Sequence, residues 1–327
     1  MGEVKPKTWK DACQACPGPK TLKETGLLAF KGLCMGTADI IPGVSGGTIA
    51  LITGIYKDLL MAIKSINTKA VKSILTLKLK DAVAEIHIRF LIVLLAGISL
   101  GIITLSRVMH YLLHHHPIHT WSLFFGLIAA SIIIVGKKVK WTYGTLISFI
   151  AGLVFGFVVV GLIPVSTPEQ LWFIFLSGFI AICAMILPGL SGAFFLLILG
   201  KYEYITGALK NPFTSSNIII ITVFCAGCFC GLLGFSRILN YLLSKWYVLT
   251  LAFLTGLMAG SLRKIWPWKE VLETRIIRDK LHVLREQNIL PDFATVDFFL
   301  AVALMITGFI LILILDKVSQ TSKKDLF

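Results

Sequence analysis

Two apolar stretches of this chain, Leu27–Ile63 and Leu171–Leu209, are each cut by a turn rich in proline and glycine, and the two are copies of one another. The first break reads Pro42-Gly43-Val44-Ser45-Gly46-Gly47 and the second Pro188-Gly189-Leu190-Ser191-Gly192. Proline cannot continue a helix cleanly and glycine lets the backbone turn, so each stretch is expected to form a broken or re-entrant helical hairpin. Adding 146 maps Gly32, Pro42, Gly43, Ser45, Gly46, Gly54 and Tyr56 onto Gly178, Pro188, Gly189, Ser191, Gly192, Gly200 and Tyr202. Further on the offset is 130, where Gly97, Gly101, Ser106, Arg107 and Tyr111 meet Gly227, Gly231, Ser236, Arg237 and Tyr241. The offset drops because the first copy has a longer basic connector. This many matches in register predict an internal duplication.

The rest of the chain says where such a duplication folds. Of 327 residues, 56% are hydrophobic and only 15% charged, whereas soluble proteins carry about 25% charged residues. The chain belongs in a bilayer as a multi-span helical protein. Spans of about 20 apolar residues are expected at Ile86–Leu105, Ile118–Gly136, Thr142–Gly161, Asn217–Phe235, Tyr247–Leu262 and Val296–Leu315. The formal charge of +14 would suggest nucleic acid in a soluble protein. Here the basic residues fall between apolar runs, where membrane topology and anionic lipids account for them, so no nucleic-acid partner is expected. Neither Cys13/Cys16 nor Cys225/Cys228 has partners at zinc-site spacing, so no metal or cofactor is expected. No cleavable signal peptide is expected ahead of Leu27, because a polar, lysine-bearing tail precedes it.

The expected fold is therefore all-α and polytopic, with two inverted repeats, each a re-entrant or broken hairpin plus about three transmembrane helices. Residues 1–25 form an N-terminal tail, and 26–161 the first repeat with a basic connector at 64–85. Residues 162–316 form the second repeat with an amphipathic connector at 263–295, and 317–327 a C-terminal tail. Three spans between the broken segments invert the second copy, an arrangement common in secondary transporters. The positive-inside rule then puts both termini in the cytoplasm, with Lys57–Arg89 inside and Leu162–Gln170 outside. Residues Arg263–Thr295, with seven basic residues, are left outside by the same count. Either the second hairpin crosses the membrane or this loop is an exception, and its stretch Val271–Leu290 is amphipathic enough to lie on a membrane surface.

Each turn opens a half-helix whose unpaired N–H groups and positive dipole end suit an anion. Gly43, Ser45, Gly46, Gly47 and Thr48 form the first candidate cradle, and Gly189, Ser191 and Gly192 the second. The plainer reading is that these turns only cap and pack helices. Arg107 and Arg237 follow matched spans and carry the group best suited to phosphate, although an arginine at a helix end also snorkels to lipid headgroups. Asp39, opposite Met185, is an intramembrane carboxylate that either couples transport to a cation or caps N–H groups freed by the break. Glu203 is a further coupling candidate at a hairpin rim. The cluster His110, His114, His115, His116 and His119 is expected in a solvated loop between spans.

The run from Lys31 to Thr48, KGLCMGTADIIPGVSGGT, followed by Gly54-Ile55-Tyr56, resembles the PopT family of bacterial polyprenyl-phosphate transporters. The likeness continues through Leu187-Pro188-Gly189-Leu190-Ser191-Gly192 and Leu199-Gly200-Lys201-Tyr202-Glu203 and covers roughly residues 26–315. It implies a protein of the bacterial cytoplasmic membrane that returns undecaprenyl phosphate from the outer to the inner leaflet for cell-envelope synthesis. The residues suit that role independently. A long isoprenoid tail costs about 0.8 kcal/mol per methylene to pull from lipid. The tail must stay in the bilayer while the phosphate crosses, so a slot open sideways to lipid, lined by a few anion ligands, is needed. Alternating access about a midplane phosphate is the expected mechanism, with membrane lipids as neighbours; the sequence leaves a homodimer open.

Two other functions fit parts of the pattern. Undecaprenyl-diphosphate phosphatases share inverted repeats with Pro-Gly-x-Ser turns, but follow the serine with Arg-Ser and add a glutamate-rich helix. Here Gly46-Gly47 and Gly192-Ala193 follow the serines, and the broken segments hold no paired glutamates for metal or acid–base chemistry. No enzyme activity is expected. A small inorganic anion transporter is the other alternative, because half-helix N-termini serve that purpose too.

Overall fold

The computed structural model describes residues 16–324 apart from 41–44, 68, 71–72, 74–75, 77, 79, 81–82, 84–85, 164, 166 and 278–279. In chain order the helices are α1 (Leu22–Asp39), α2 (Gly46–Ile52), α3 (Tyr56–Lys64), α4 (Ile88–His115), α5 (Pro117–Gly136) and α6 (Tyr143–Val159). They continue as α7 (Leu171–Ile186), α8 (Gly192–Ile198), α9 (Tyr202–Lys210), α10 (Ser215–Lys245), α11 (Tyr247–Ile265) and α12 (Val296–Lys324). Strands β1 (Lys269–Ile277) and β2 (Lys280–Asn288) lie between α11 and α12.

Helices α4, α5, α10, α11 and α12 contain stretches long and apolar enough to cross a membrane. The expected span at Thr142–Gly161 forms the 17-residue α6, about 25 Å long at 1.5 Å per residue. Its start is fixed by a capping box in which the Thr142 side chain accepts from the Thr145 amide and Thr145 reaches back. Apolar side chains such as Ile103, Ile147 and Phe299 face outward, as a lipid environment requires. Several buried hydroxyls are satisfied within their own helices: Ser122 donates to the Ile118 carbonyl, Ser177 to Phe173 and Thr255 to Leu251. The chain is a multi-pass helical membrane protein.

Each interrupted stretch has two breaks rather than one. After the proline turn comes a seven-residue helix, then a second bend at a glycine with positive φ, Gly54 at 74° and Gly200 at 62°. This left-handed backbone costs a side-chain-bearing residue about 1–2 kcal/mol. At the first of these bends α2 and α3 diverge by 115°. The carbonyl freed there is satisfied in both copies: Lys31 Nζ donates to Thr53 O at 2.9 Å, and the Thr167 hydroxyl donates to Leu199 O.

Helix packing repeats the duplication contact by contact. In the first copy a methyl on Gly32 would strike the Leu94 carbonyl, and one on Gly97 the Ala29 carbonyl. In the second, Gly178 lies against Phe224 and Gly227 against Phe175, the equivalent residues. Small residues let these backbones approach, which is how helices associate in lipid. Matching residues rise together along both chains, so α1 runs parallel to α4 and α7 to α10. The remaining helices exchange partners between the copies. Gly126 of α5 packs on Met305 of α12, while its equivalent Gly256 of α11 packs on Phe149 of α6.

Three sequence expectations are corrected. The connector at 263–295, read as an amphipathic surface segment, contains an antiparallel hairpin pairing Lys269 with Asn288 and Ile277 with Lys280. Its β-branched residues Val271, Thr274, Ile276, Ile277 and Val283 favour strands over a helix. The histidine cluster does not occupy a loop: α4 and α5 meet at His116 alone, with Pro117 opening α5. Finally, α12 runs on to Lys324, through most of the expected tail. Cys13 and the turn residues Pro42 and Gly43 lie outside the described residues.

Candidate functional site

The start of α2 meets the end of α7 and the turn that follows it, and three hydrogen bonds tie the first copy to the second there. Ser45 Oγ donates to Met185 O at 2.9 Å, Gly189 N donates to Thr48 Oγ1 at 2.8 Å, and Tyr56 OH donates to Ile186 O at 3.0 Å. The acceptors Met185 and Ile186 end α7, where helix termination at Pro188 leaves carbonyls without intrahelical partners. Ser45, Thr48 and Tyr56 are all at most 2% exposed, so these bonds form away from water. Gly47 is the contact point. A Cβ there would sit 2.6 Å from Ile186 O, so any larger residue would push the two copies apart. The crossing is packed inside the main apolar core, among Ala50, Leu190, Phe194 and Leu257.

The two half-helices differ in how their first amides are used. At α2, Ser45 Oγ accepts from Gly47 N at 3.1 Å, and Asp39 Oδ1 accepts from Gly46 N at 2.7 Å. Asp39 thus sits on the positive end of a half-helix, the capping role that the break allowed. At α8 the equivalent of Asp39 is Met185, which brings no acceptor. Ser191, although only 6% exposed, makes no side-chain cap bond. Gly189 takes φ +87°, and a Cβ on it would lie 2.9 Å from both Met258 Cα and Ser261 Oγ of α11. Gly192 lies against the Ala181 carbonyl.

The other sequence candidates lie elsewhere. Arg237 donates to Leu233 O at 2.8 Å in its own helix and to Ile66 O at 3.1 Å, fastening α10 to the chain after α3. Arg107 is exposed on α4. Glu203 is in the first turn of α9. Sequence reading missed the cross-copy roles of Thr48 and Tyr56. Tyr56 was visible as one half of a repeated pair, but its equivalent Tyr202 is 42% exposed and gives no hint of a buried role. It also missed Lys201, 2% exposed, whose Nζ donates to Thr167 O at 2.8 Å.

Beside the crossing, α6, α10 and α11 frame an apolar cleft of about 430 Å³. It runs from Trp246 and Leu249 past Phe235 and Phe253 to Leu187, the residue before Pro188. The cleft's lining thus includes the residue next to the second turn.

Known proteins share this sequence plan. Residues 35–283 match a family model described as undecaprenyl phosphate translocase-like. A polyprenyl-phosphate transporter of Vibrio cholerae serotype O1 (strain ATCC 39315 / El Tor Inaba N16961) is 42% identical over 299 residues, which is 89% of this chain and 96% of the relative. A polyprenyl-phosphate transporter of Staphylococcus aureus (strain NCTC 8325 / PS 47) is 30% identical over 256 residues, covering 73% and 85%. No solved structure matches the chain. These names describe transporters rather than enzymes, in keeping with a multi-pass helical protein whose two copies meet at their broken helices. The chain belongs to the undecaprenyl phosphate translocase-like family.

Proposed function

We propose that this protein carries polyprenyl phosphate across the bacterial cytoplasmic membrane, returning undecaprenyl phosphate from the outer to the inner leaflet. The phosphate is held where the two turns cross, and the two copies rock about it in alternating access. The observation that carries this reading is the unequal use of the two half-helix ends. Asp39 and Ser45 already occupy the first amides of α2. The Ser191 hydroxyl at the start of α8 has no protein cap and sits within the same crossing. A phosphate oxygen is the kind of acceptor that such a position lacks.

Two further features support it. The apolar cleft ending at Leu187 suits an isoprenoid chain that stays in lipid while its headgroup reaches the turn. The parallel pairing of α6 with α11 favours an inverted relation between the copies, because α10 and α11 are joined through Trp246 alone. Both termini are then cytoplasmic. Arg107 and Arg237 enter as cations that draw the headgroup inward, and a Arg107→Ala, Arg237→Ala variant transporting at the wild-type rate removes them. Asp39 and Glu203 are the carboxylates offered for coupling; the Gly46 bond favours the capping role for Asp39.

The test is transport of labelled undecaprenyl phosphate in vesicles containing the purified protein, with inorganic phosphate as competitor. Protein-dependent flipping that excess inorganic phosphate leaves intact is expected. Uptake of inorganic phosphate with no lipid movement assigns the protein to small-anion transport instead.

A further inference from the structure

The C-terminal end of α11, the chain after α6 and the feet of the β-hairpin enclose a polar cavity of about 520 Å³. Three cations line it, Arg263, Lys264 and Lys269, against one carboxylate, Glu286. Lys269 is fixed: its Nζ donates to Lys264 O at 2.7 Å and reaches Glu286 Oε2 at 3.2 Å. Lys264 Nζ lies 3.5 Å from the same oxygen and 5.2 Å from the Phe194 ring centre in α8. The Arg263 guanidinium lies 4.4 Å over the Phe157 ring, and no carboxylate is paired with it among the described residues.

The walls are held in place. Asn288 Nδ2 donates to Arg263 O at 2.9 Å, and Trp266 Nε1 donates to Ile289 O at 2.9 Å, so the end of β2 is anchored to the end of α11, as the Lys269–Lys264 bond anchors the start of β1. One carboxylate shared between two lysines leaves the cavity with an excess of positive charge. Part of that excess answers the negative end of the α11 dipole. Arg263 is exposed, stacked on an aromatic face and part of the cavity lining, and a guanidinium is the group best suited to take a phosphate there. The same helix passes the second turn, where Met258 and Ser261 touch Gly189. The cavity and the crossing therefore lie along one helix.

We propose that this cavity is a second anion site, in which Arg263 and Lys264 take a phosphate-bearing headgroup and Glu286 occupies its place when no anion is bound. The ligand's identity as a prenyl phosphate rests on the function proposed above; its negative charge rests on the cavity alone. Glu286 has a signed consequence here. Neutralising it frees both lysines for the anion, whereas a purely structural carboxylate would only loosen the hairpin.

Binding of farnesyl phosphate to the full-length protein in nanodiscs tests this, with inorganic phosphate and farnesol as competitors. Wild-type protein is expected to bind two equivalents, one in the cavity and one at the turns. Arg263→Gln, Lys264→Gln should leave one, Glu286→Gln should tighten the cavity site about tenfold, and Arg263→Lys, Lys264→Arg should keep both. Competition by inorganic phosphate assigns recognition to the phosphate alone, and its absence assigns it to the whole lipid; either keeps the anion site. Farnesol competing as well as farnesyl phosphate, or two equivalents persisting in the glutamine pair, overturns the proposal. Failure of the turn site reads differently: the glutamine pair then binds nothing, while the cavity of the wild type still fills.

Discussion

Gly189 N–H donates to Thr48 Oγ1 at 2.8 Å, joining the two broken segments across 141 positions of sequence. Each segment's turn is thereby part of the other's hydrogen bonding, and neither can move without the other responding. This contact belongs to packing, and under the proposed rocking mechanism it is a place where movement between the copies would be felt.

Thr48→Val keeps the shape and removes the acceptor. The buried Gly189 N–H would lose its partner at a cost of about 1–3 kcal/mol, seen as a lower midpoint in a thermal melt of the detergent-solubilised protein. Thr48→Ser, which keeps the oxygen, should stay close to wild type. Equal melts for the valine and serine variants would remove this bond from the account.

Gly189→Ala is strained twice, by its φ of +87° and by the 2.9 Å approach to Met258 Cα. The left-handed backbone alone costs about 1–2 kcal/mol, and the clash adds to it, so the yield of folded protein should fall sharply. Gly26→Ala is the control. A Cβ there meets nothing within 4 Å, and an alanine within α1 should stabilise by about 0.5–1 kcal/mol.

Asp39→Ala removes the acceptor at Gly46 N and should cost about 0.5–2 kcal/mol. Asp39→Asn keeps a carbonyl oxygen there, so stability and transport should both be largely retained. Transport lost in the asparagine variant with an unchanged melt would move Asp39 from capping to coupling.

The hairpin should loosen in acid. Burial pushes the Glu286 carboxyl upward, but Lys269 and Lys264 outweigh it and hold it below its usual 4.5. A carboxylate lowered in this way stabilises the fold above its ordinary value, and that stability is lost as pH falls through the folded value. Burial lowers Lys269 despite the nearby carboxylate, so the gain from the pair lies with Glu286. Protection of the hairpin amides relative to their intrinsic exchange rates should therefore be high near neutrality and fall as pH drops below the carboxyl's ordinary 4.5, and Glu286→Gln should abolish that dependence.

Much of this architecture was legible because it was written twice. The matched glycines marked the duplication, and in the structure they are helix contacts: Gly32 and Gly178 pack on equivalent carbonyls, as small residues do where helices associate in lipid. The breaks were legible because proline and glycine act locally. What stayed hidden depended on asymmetry between the copies. Ser45 was expected to cap its own half-helix, yet its hydroxyl also reaches across to the Met185 carbonyl, and Thr48 accepts from the Gly189 amide of the other copy. Such bonds have no periodicity to betray them. The hairpin was misread because alternating polarity over Val271–Leu290 suits a surface helix and a strand pair alike, and only the β-branched content separates them.

The most direct measurement compares Ser191→Ala with wild type for both melting and movement of labelled undecaprenyl phosphate across vesicles. The Ser191 side chain makes no cap bond in the protein, so its loss should leave the melt unchanged. The account predicts that transport nevertheless falls about tenfold, the value of one charge-assisted hydrogen bond to phosphate. Wild-type transport by a stable Ser191→Ala protein would contradict the claim that the headgroup is held where the two turns cross.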